Sequence, residues 1–226
     1  PMPGVRLTVV CRDTHTPYSG MLPGYVAGHY TYDDVHIDLR RLAEFAGARF
    51  FRSEVVGLDR RTHQVLCHDR PAVRYDRLSI NIGSTPKLTD AGSQSTRAVA
   101  VKPINQFNAR WLALLARVQT RPGPMHIALV GGGAGGVELL LAMQYRLCHQ
   151  LKRLGQDHNA LKFSLFTRGA TILPTHSHRV QQRFTRTLQA RGVSLHLNAA
   201  VTAVDEQGLT TSNGEHHLAD EVIWVT

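Results

Sequence analysis

Six consecutive residues, Gly131-Gly132-Gly133-Ala134-Gly135-Gly136, have a spacing that can hold phosphate. They satisfy the pattern G-x-G-x-x-G, which gains meaning only between a strand and a helix. Both neighbours are present. Residues 125–130 read MHIALV, an apolar run of strand length. Residues 137–154 place apolar side chains at 137, 140, 141, 147, 151 and 154, the spacing of one helical face. In such a turn Gly131 permits the tight reversal. Gly133 lets backbone approach a pyrophosphate, and Gly136 lets the helix pack close to the strand. The phosphates then meet free N–H groups at the positive end of the helix. The bland alternative is a glycine-rich turn with no ligand.

Three further residues bear on what such a site could choose. The end of the next strand often carries an acid that holds a ribose hydroxyl. Here that place is Thr167, followed by Arg168. A guanidinium there could pair with the additional phosphate of NADP, or it could simply face solvent, so NAD and NADP both stay open. Glu138 stands near the helix start, where an acid also favours the helix dipole.

Other constellations carry less. Cys11, Cys67 and Cys148 are far apart and include no Cys-x-x-Cys. That excludes a thiol relay of that type and a zinc cluster, and predicts a reducing, cytoplasmic setting. His176-x-His178 and His216-His217 lack a third ligand, so no metal site is expected. The net charge of +9 raises nucleic acid as a partner. The sequence offers neither an aromatic stacking platform nor a recognition-helix pattern, so nucleic acid is not expected. The densest basic group is Arg179, Arg183 and Arg186, with Arg191 nearby. It reads as a solvated helix face, or as a surface for anionic lipid or a cofactor phosphate.

The elements that must position these residues occur twice. After the glycine turn and its helix come a strand at 161–167, a helix at 179–191 ended by Gly192, and strands at 193–197, 201–204, 208–211 and 221–225. The first half repeats the later part of this plan. Residues 7–12 match 163–168. A helix at about 37–46 ends at Gly47, as the later one ends at Gly192. Residues 55–59 match 201–205, and 75–83 match 219–226. Strands alternating with helices predict a parallel sheet with right-handed crossovers. The fold class is α/β, with two Rossmann-like dinucleotide-binding domains, truncated at both ends. Residues 1–100 are expected to form a partial first domain without its opening strand and glycine turn. Residues 101–123 form a joint with an amphipathic helix bearing Phe107, Trp111, Leu114 and Leu115, closed by the breaker Arg121-Pro122-Gly123-Pro124. Residues 124–226 form the second domain.

The glycine turn with its Leu-rich helix, the stretch 167–174 ending ILP, and YDRLSINIGSTP at 75–86 together resemble the pyridine nucleotide-disulfide oxidoreductase superfamily. Within it the chain looks like the type II NADH dehydrogenase branch. THTPYSGMLPGYVAGHY, beginning at Thr14, and KPINQFNARW, beginning at Lys102, are the most telling stretches. They resemble the flavoprotein module found fused to selenide, water dikinase. The resemblance implies FAD in the first domain and NAD(P)H in the second. It places Val55 and Val56 near the adenine of FAD, Gly83-Ser84 near the flavin pyrophosphate, and Thr16-Pro17 through Pro23 near the isoalloxazine. Glu138 would face the nicotinamide. Two departures stand out. Cys11, followed by Arg12 and Asp13, occupies the place of the first domain's ribose acid. The redox-active cysteine pair of the disulfide reductases is absent.

The resemblance implies an FAD-dependent NAD(P)H oxidoreductase. Hydride would pass from NAD(P)H to FAD, then electrons to a quinone or a small selenium or sulfur acceptor. Hydride transfer requires no acid–base group, so no catalytic residue is named. The missing acids also suit a nucleotide-sensing module without turnover. Contact with a membrane surface would come only through segments outside this sequence, and the chain alone is expected to be inactive.

Overall fold

A computed structural model describes residues 3–83, 98–101, 104–120 and 123–225, with backbone alone at 98–100 and 104–106. Ser84, Lys102-Pro103 and Arg121-Pro122, to which the sequence assigns roles, lie outside these residues. The chain divides into two compact units. One comprises the chain up to Leu22 with Tyr30–Gly83. The other comprises Pro23–His29 with the chain from 98 onward.

In the first unit, β1 (Thr8–Cys11) pairs in parallel with β4 (Arg49–Arg52). Between them in the chain come β2 (His15–Pro17), the short helix α1 (Leu22–Ala27), whose residues from Pro23 on belong to the second unit, then α2 (Tyr32–Val35), β3 (His36–Asp38) and α3 (Leu39–Phe45). The sequence predicts one helix over 37–46, but the helix begins two residues later. Ile37 is paired with Thr16 across the antiparallel β2–β3 ladder. Asp38 caps α3 by accepting from the Arg40 N–H at 2.9 Å. Strands β5 (Val55–Asp59), β6 (Gln64–Cys67) and β7 (Val73–Arg74) form a three-stranded antiparallel sheet. The strand expected over 75–83 is not formed. The matching segment of the second unit has a strand on each side of it. No described strand of the first unit lies beside 75–83, so its N–H and C=O groups have no ladder to join.

The second unit is built on a five-stranded parallel sheet, ordered β11-β10-β9-β15-β8. Its elements are β8 (Ala98–Ala100), α4 (Ile104–Thr120), β9 (Met125–Val130), α5 (Ala134–Arg153), β10 (Leu161–Phe166), α6 (His178–Ala190) and β11 (Val193–His196). After them come β12 (Val201–Val204), β13 (Gly208–Thr211), β14 (His216–Leu218) and β15 (Glu221–Trp224). The edge strand β8 precedes the stretch expected to be a joint. It pairs with β15, through Val222, Ile223 and Trp224. Near-continuous apolar runs suit strands covered on both faces: Ile127–Val130 and Glu221–Trp224 are buried throughout. Strands β12–β14 form a separate antiparallel sheet whose Val201, Val204 and Leu209 cluster with Phe166, Val222 and Trp224 of the parallel sheet.

The internal repeat holds down to single hydrogen bonds. Gly47 and Gly192 both end their helices at positive φ, 62° and 72°, the conformation that favours glycine after a helix. Strands β5 and β12 carry a register shift at the same place, between Val55 and Gly57 and between Val201 and Ala203. Ser53 N donates to Cys11 O at 3.0 Å, and Ala199 N donates to Thr167 O at 2.9 Å. Asp59 and Asp205 each accept two backbone N–H groups in the turn that comes next.

Candidate dinucleotide site

The glycine-rich turn leaves β9 and enters the twenty-residue helix α5. Each glycine expected to matter has a distinct physical reason. Gly131 has φ +132°, and its N–H donates to Phe166 O at 2.9 Å, fixing the turn to the end of β10. A Cβ on Gly132 would meet the Thr167 side chain at 2.8 Å. A Cβ on Gly136 would collide with the Gly131 carbonyl oxygen, so only glycine allows the helix to start this close to the strand. Gly133 is the exception: it is exposed and a Cβ there would meet nothing within 4 Å. Its extended backbone forms the N-cap with no side-chain bond, and no acid occupies the first turn. No side-chain cap therefore occupies the first N–H groups of α5, an arrangement suited to a pyrophosphate.

Glu138 is the fifth residue of α5 and is exposed. Thr167 is half-buried against Gly132, and its hydroxyl accepts weakly from Gly169 N at 3.4 Å. Arg168 is exposed and forms no ion pair among the described residues. The structure therefore brings Gly131, Gly133, Gly136 and Thr167 to one turn, with Arg168 beside them.

Leu173 belongs to the ILP motif, but its part in the site shows only in the tertiary structure. Its N–H donates to Gly132 O at 2.7 Å, and Ile172 and Leu173 are buried. Leu173 sits at φ +54°, a strained conformation for a branched residue. Gln181 Nε2 secures the return by donating to Leu173 O at 3.2 Å and to His176 O at 2.9 Å.

Beneath the turn, the His196 ring stacks on Phe166 with centroids 4.2 Å apart, and His217 meets both edge-on. Burial pushes the His196 imidazole below its ordinary value, and neighbouring His217 adds to this while Glu215 opposes it.

In the first unit Arg12 is exposed, pairs with Asp13 at 3.3 Å, and lines a cleft of about 310 Å³ with Arg52, Ser53, Glu54, His68 and Asp69. Ser53 is buried and donates to Asp69, and that bond holds the Asp69 carboxyl below its ordinary value. Pro17 lies in β2 opposite His36, Val56 is largely exposed on β5, and Gly83 is exposed at φ +72°. These three do not line the Arg12 cleft.

The pattern of one family, pyridine nucleotide-disulphide oxidoreductase, matches residues 2–226. The chain belongs to that family. It is 23% identical over 171 residues to the NADH dehydrogenase-like protein YutJ of Bacillus subtilis, covering 76% of this chain and 44% of that protein. It is 30% identical over 103 residues to the type II NADH:quinone oxidoreductase of Haemophilus influenzae, covering 44% of this chain and 23% of that protein. Among solved structures, NDH2 from Plasmodium falciparum in complex with NADH superposes with a TM-score of 0.86 at 17% identity, covering 98% of this chain and 50% of that chain. The chain thus spans less than half the length of the curated relatives it matches. FAD and NAD(P)H are the cofactors that go with the family. The α/β fold and the open N-terminus of α5 fit the pyrophosphate of a dinucleotide in the second unit. In the first unit the described residues repeat the strand end and three-stranded sheet of that site, but they contain no glycine-rich turn. Among the described residues no helix is long and apolar enough to cross a membrane, and no histidine, cysteine and carboxylate group could hold a metal.

Proposed function

We propose that the chain is the nucleotide-binding part of an FAD-dependent NAD(P)H oxidoreductase that passes electrons to a quinone or a small selenium or sulfur acceptor. The observation that carries the reading is the glycine turn of the second unit, where Gly136 admits the helix and Gly133 leaves its N-terminus open. When bound, FAD would supply the chemistry, taking hydride from the nicotinamide and giving electrons onward. The protein's own contribution is positional. Backbone N–H groups of α5 hold the pyrophosphate, Thr167 fills the space beside Gly132, and Glu138 lies one helical turn in, toward the nicotinamide end. The first unit would hold the adenosine half of FAD near Arg12 and Val56, with Pro17 near the flavin ring and Gly83 near its pyrophosphate. The second unit, with α4 packed into it through the Arg117–Glu221 ion pair and not standing apart as a connection, would be the NAD(P) domain.

Arg168, without an acid beside it at Thr167, favours NADP over NAD. A protein of this branch fused to selenide, water dikinase, placed in the cytoplasm or at the inner face of a membrane, fits the stretches from Thr14 and Lys102. The test uses the full-length protein. Its flavin absorbance should bleach on anaerobic addition of NADPH and recover on addition of a quinone. A flavin that stays oxidised under both NADPH and NADH would identify a nucleotide-sensing module instead.

A further inference from the structure

The charges of the second unit are segregated along the chain, which the glycine turn does not explain. Residues 158–204 contain no Asp or Glu, yet carry Lys162, Arg168, Arg179, Arg183, Arg186 and Arg191. Residues 205–226 reverse the pattern, with Asp205, Glu206, Glu215, Asp220 and Glu221 and no Lys or Arg.

The fold turns this order along the chain into opposite faces. The sheet runs β11-β10-β9-β15-β8. Its connections through α4, α5 and α6 all step toward β11, so right-handed crossovers place the three helices on one face. The return from β11 to β15 passes through β12–β14 and lies on the other face. Successive residues of β15 agree. Ile223 meets Phe107 and Trp111 of α4, while Val222 and Trp224 join Val201, Val204 and Leu209 of the β12–β14 sheet. The arginines of α6 therefore stand on one side of the unit, and Asp205, Glu206 and Glu215 on the other.

Pairing supplies a second, independent observation. Glu221, whose side chain turns toward α4, is buried and paired with Arg117 at 2.6 Å and Arg110 at 3.6 Å. Asp205 meets His216 at 3.1 Å, and Glu215 meets His217 at 3.6 Å. Arg179, Arg183 and Arg186 of α6 are exposed and form no ion pair among the described residues. Arg186 Nε donates only to Gln182 O of its own helix, at 3.3 Å. At 3.6 residues per turn these three arginines fall within about 60° of one another, away from the buried Leu188. Gln182, Gln189 and Ala190 complete the exposed crest. It therefore lacks the aromatic or long aliphatic anchor on which a specific protein interface centres. A row of unpaired guanidiniums without such an anchor suits a plane of repeated phosphates, which needs charge but no shape complementarity.

We infer that the exposed face of α6 is a docking surface for an anionic phospholipid bilayer, with Arg179, Arg183 and Arg186 against the headgroup phosphates. Attraction of α6 and repulsion of the acidic turns of the β12–β14 sheet favour one and the same orientation. No side chain of the crest inserts into the hydrocarbon, so binding is reversible and sensitive to salt. The sequence leads one to expect membrane contact only through segments outside residues 1–226, whereas the segregated charge supplies a surface within them. The inference goes beyond the electron transfer proposed above and gives it a setting, since a quinone is an acceptor dissolved in the bilayer.

The probe is a vesicle of phosphatidylcholine with one quarter phosphatidylglycerol, sedimented with the chain at low salt, and pure phosphatidylcholine vesicles are the reference. The chain should bind the anionic vesicles alone and leave them at high salt. Arg179→Gln, Arg183→Gln and Arg186→Gln together should lower the partition coefficient roughly 10- to 100-fold, since each arginine near an anionic surface is worth a factor of about five. Changing the same three to lysine should lower it less than about threefold, because a bilayer surface reads charge and not a bidentate fork. Arg60→Gln, Arg61→Gln and Arg77→Gln together remove equal charge from exposed positions of the first unit. That control should also change the coefficient less than about threefold. Equal losses in the two glutamine triples would reduce the effect to net charge and overturn the assignment. So would a chain that ignores both kinds of vesicle, or one whose three α6 arginines bind duplex DNA in preference to vesicles. Flavin and NADPH are absent from the measurement, so its failure and a failure of the electron-transfer reading are separate results.

Discussion

The backbone N–H of Leu173 donates to the carbonyl oxygen of Gly132 at 2.7 Å, tying the loop after β10 back onto the glycine-rich turn. Leu173 makes this bond at φ +54° with its side chain buried. Two costs and one gain therefore meet in a single residue: backbone strain and rotamer order against apolar burial. Truncation to alanine keeps the strain and loses the burial, so Leu173→Ala should destabilise the chain by roughly 2–5 kcal/mol. Leu173→Gly loses the same side chain but relieves strain of about 1 kcal/mol or more. The glycine variant should unfold at the same or higher urea concentration than the alanine variant. The reverse order would mean that the left-handed conformation costs nothing here.

Gly133 and Gly136 separate binding from folding. Gly136→Ala sets a methyl against the Gly131 carbonyl and should destabilise by about 1–3 kcal/mol as the helix is pushed from the strand. Gly133→Ala meets no atom within 4 Å. Its melting temperature should match the parent, while affinity for NADPH and NADH falls at least tenfold, because the methyl occupies the approach of the pyrophosphate. Unchanged affinity in Gly133→Ala would place the dinucleotide elsewhere.

Arg168→Ala should weaken NADPH more than NADH, since only NADPH carries the ribose phosphate. A charge-assisted bond of this kind is worth roughly 1.5–3 kcal/mol; Arg168 is exposed, so the lower end applies. Dissociation constants for both nucleotides, measured at one ionic strength, decide it. Equal losses would leave no case for NADP.

His196 gives the fold a pH dependence of definite sign. Burial, then His217, lowers its folded value below the ordinary 6.5. The unfolded chain then binds a proton more readily, so stability from this residue is present above about pH 6.5 and is lost as pH falls toward the folded value. Urea midpoints should drop between pH 7.5 and pH 5.5. In His196→Phe, which preserves stacking on Phe166, the drop should be smaller. An equal drop would assign the dependence to other histidines.

Much of this site was legible in order along the chain. The glycine pattern, the apolar run before it and the helical periodicity after it locate the turn without any coordinates, because each reports a local demand for φ, burial or face. The repeat was legible for the same reason: Gly47 and Gly192, or Asp59 and Asp205, answer identical backbone requirements in each copy. The structure alone decided whatever depends on a distant neighbour. Residues 75–83 resemble 219–226 but form no strand, because a strand exists only where another strand receives its hydrogen bonds. Ala98–Ala100 is a strand because β15 lies beside it. Ile37 belongs to a ladder, not to α3, because Thr16 pairs with it. Leu173 reaches Gly132, and Thr167 is bonded to His196 and Ala199, across separations of tens of residues. No periodicity carries that information, because it arises from the packing of elements and not from the pattern within one.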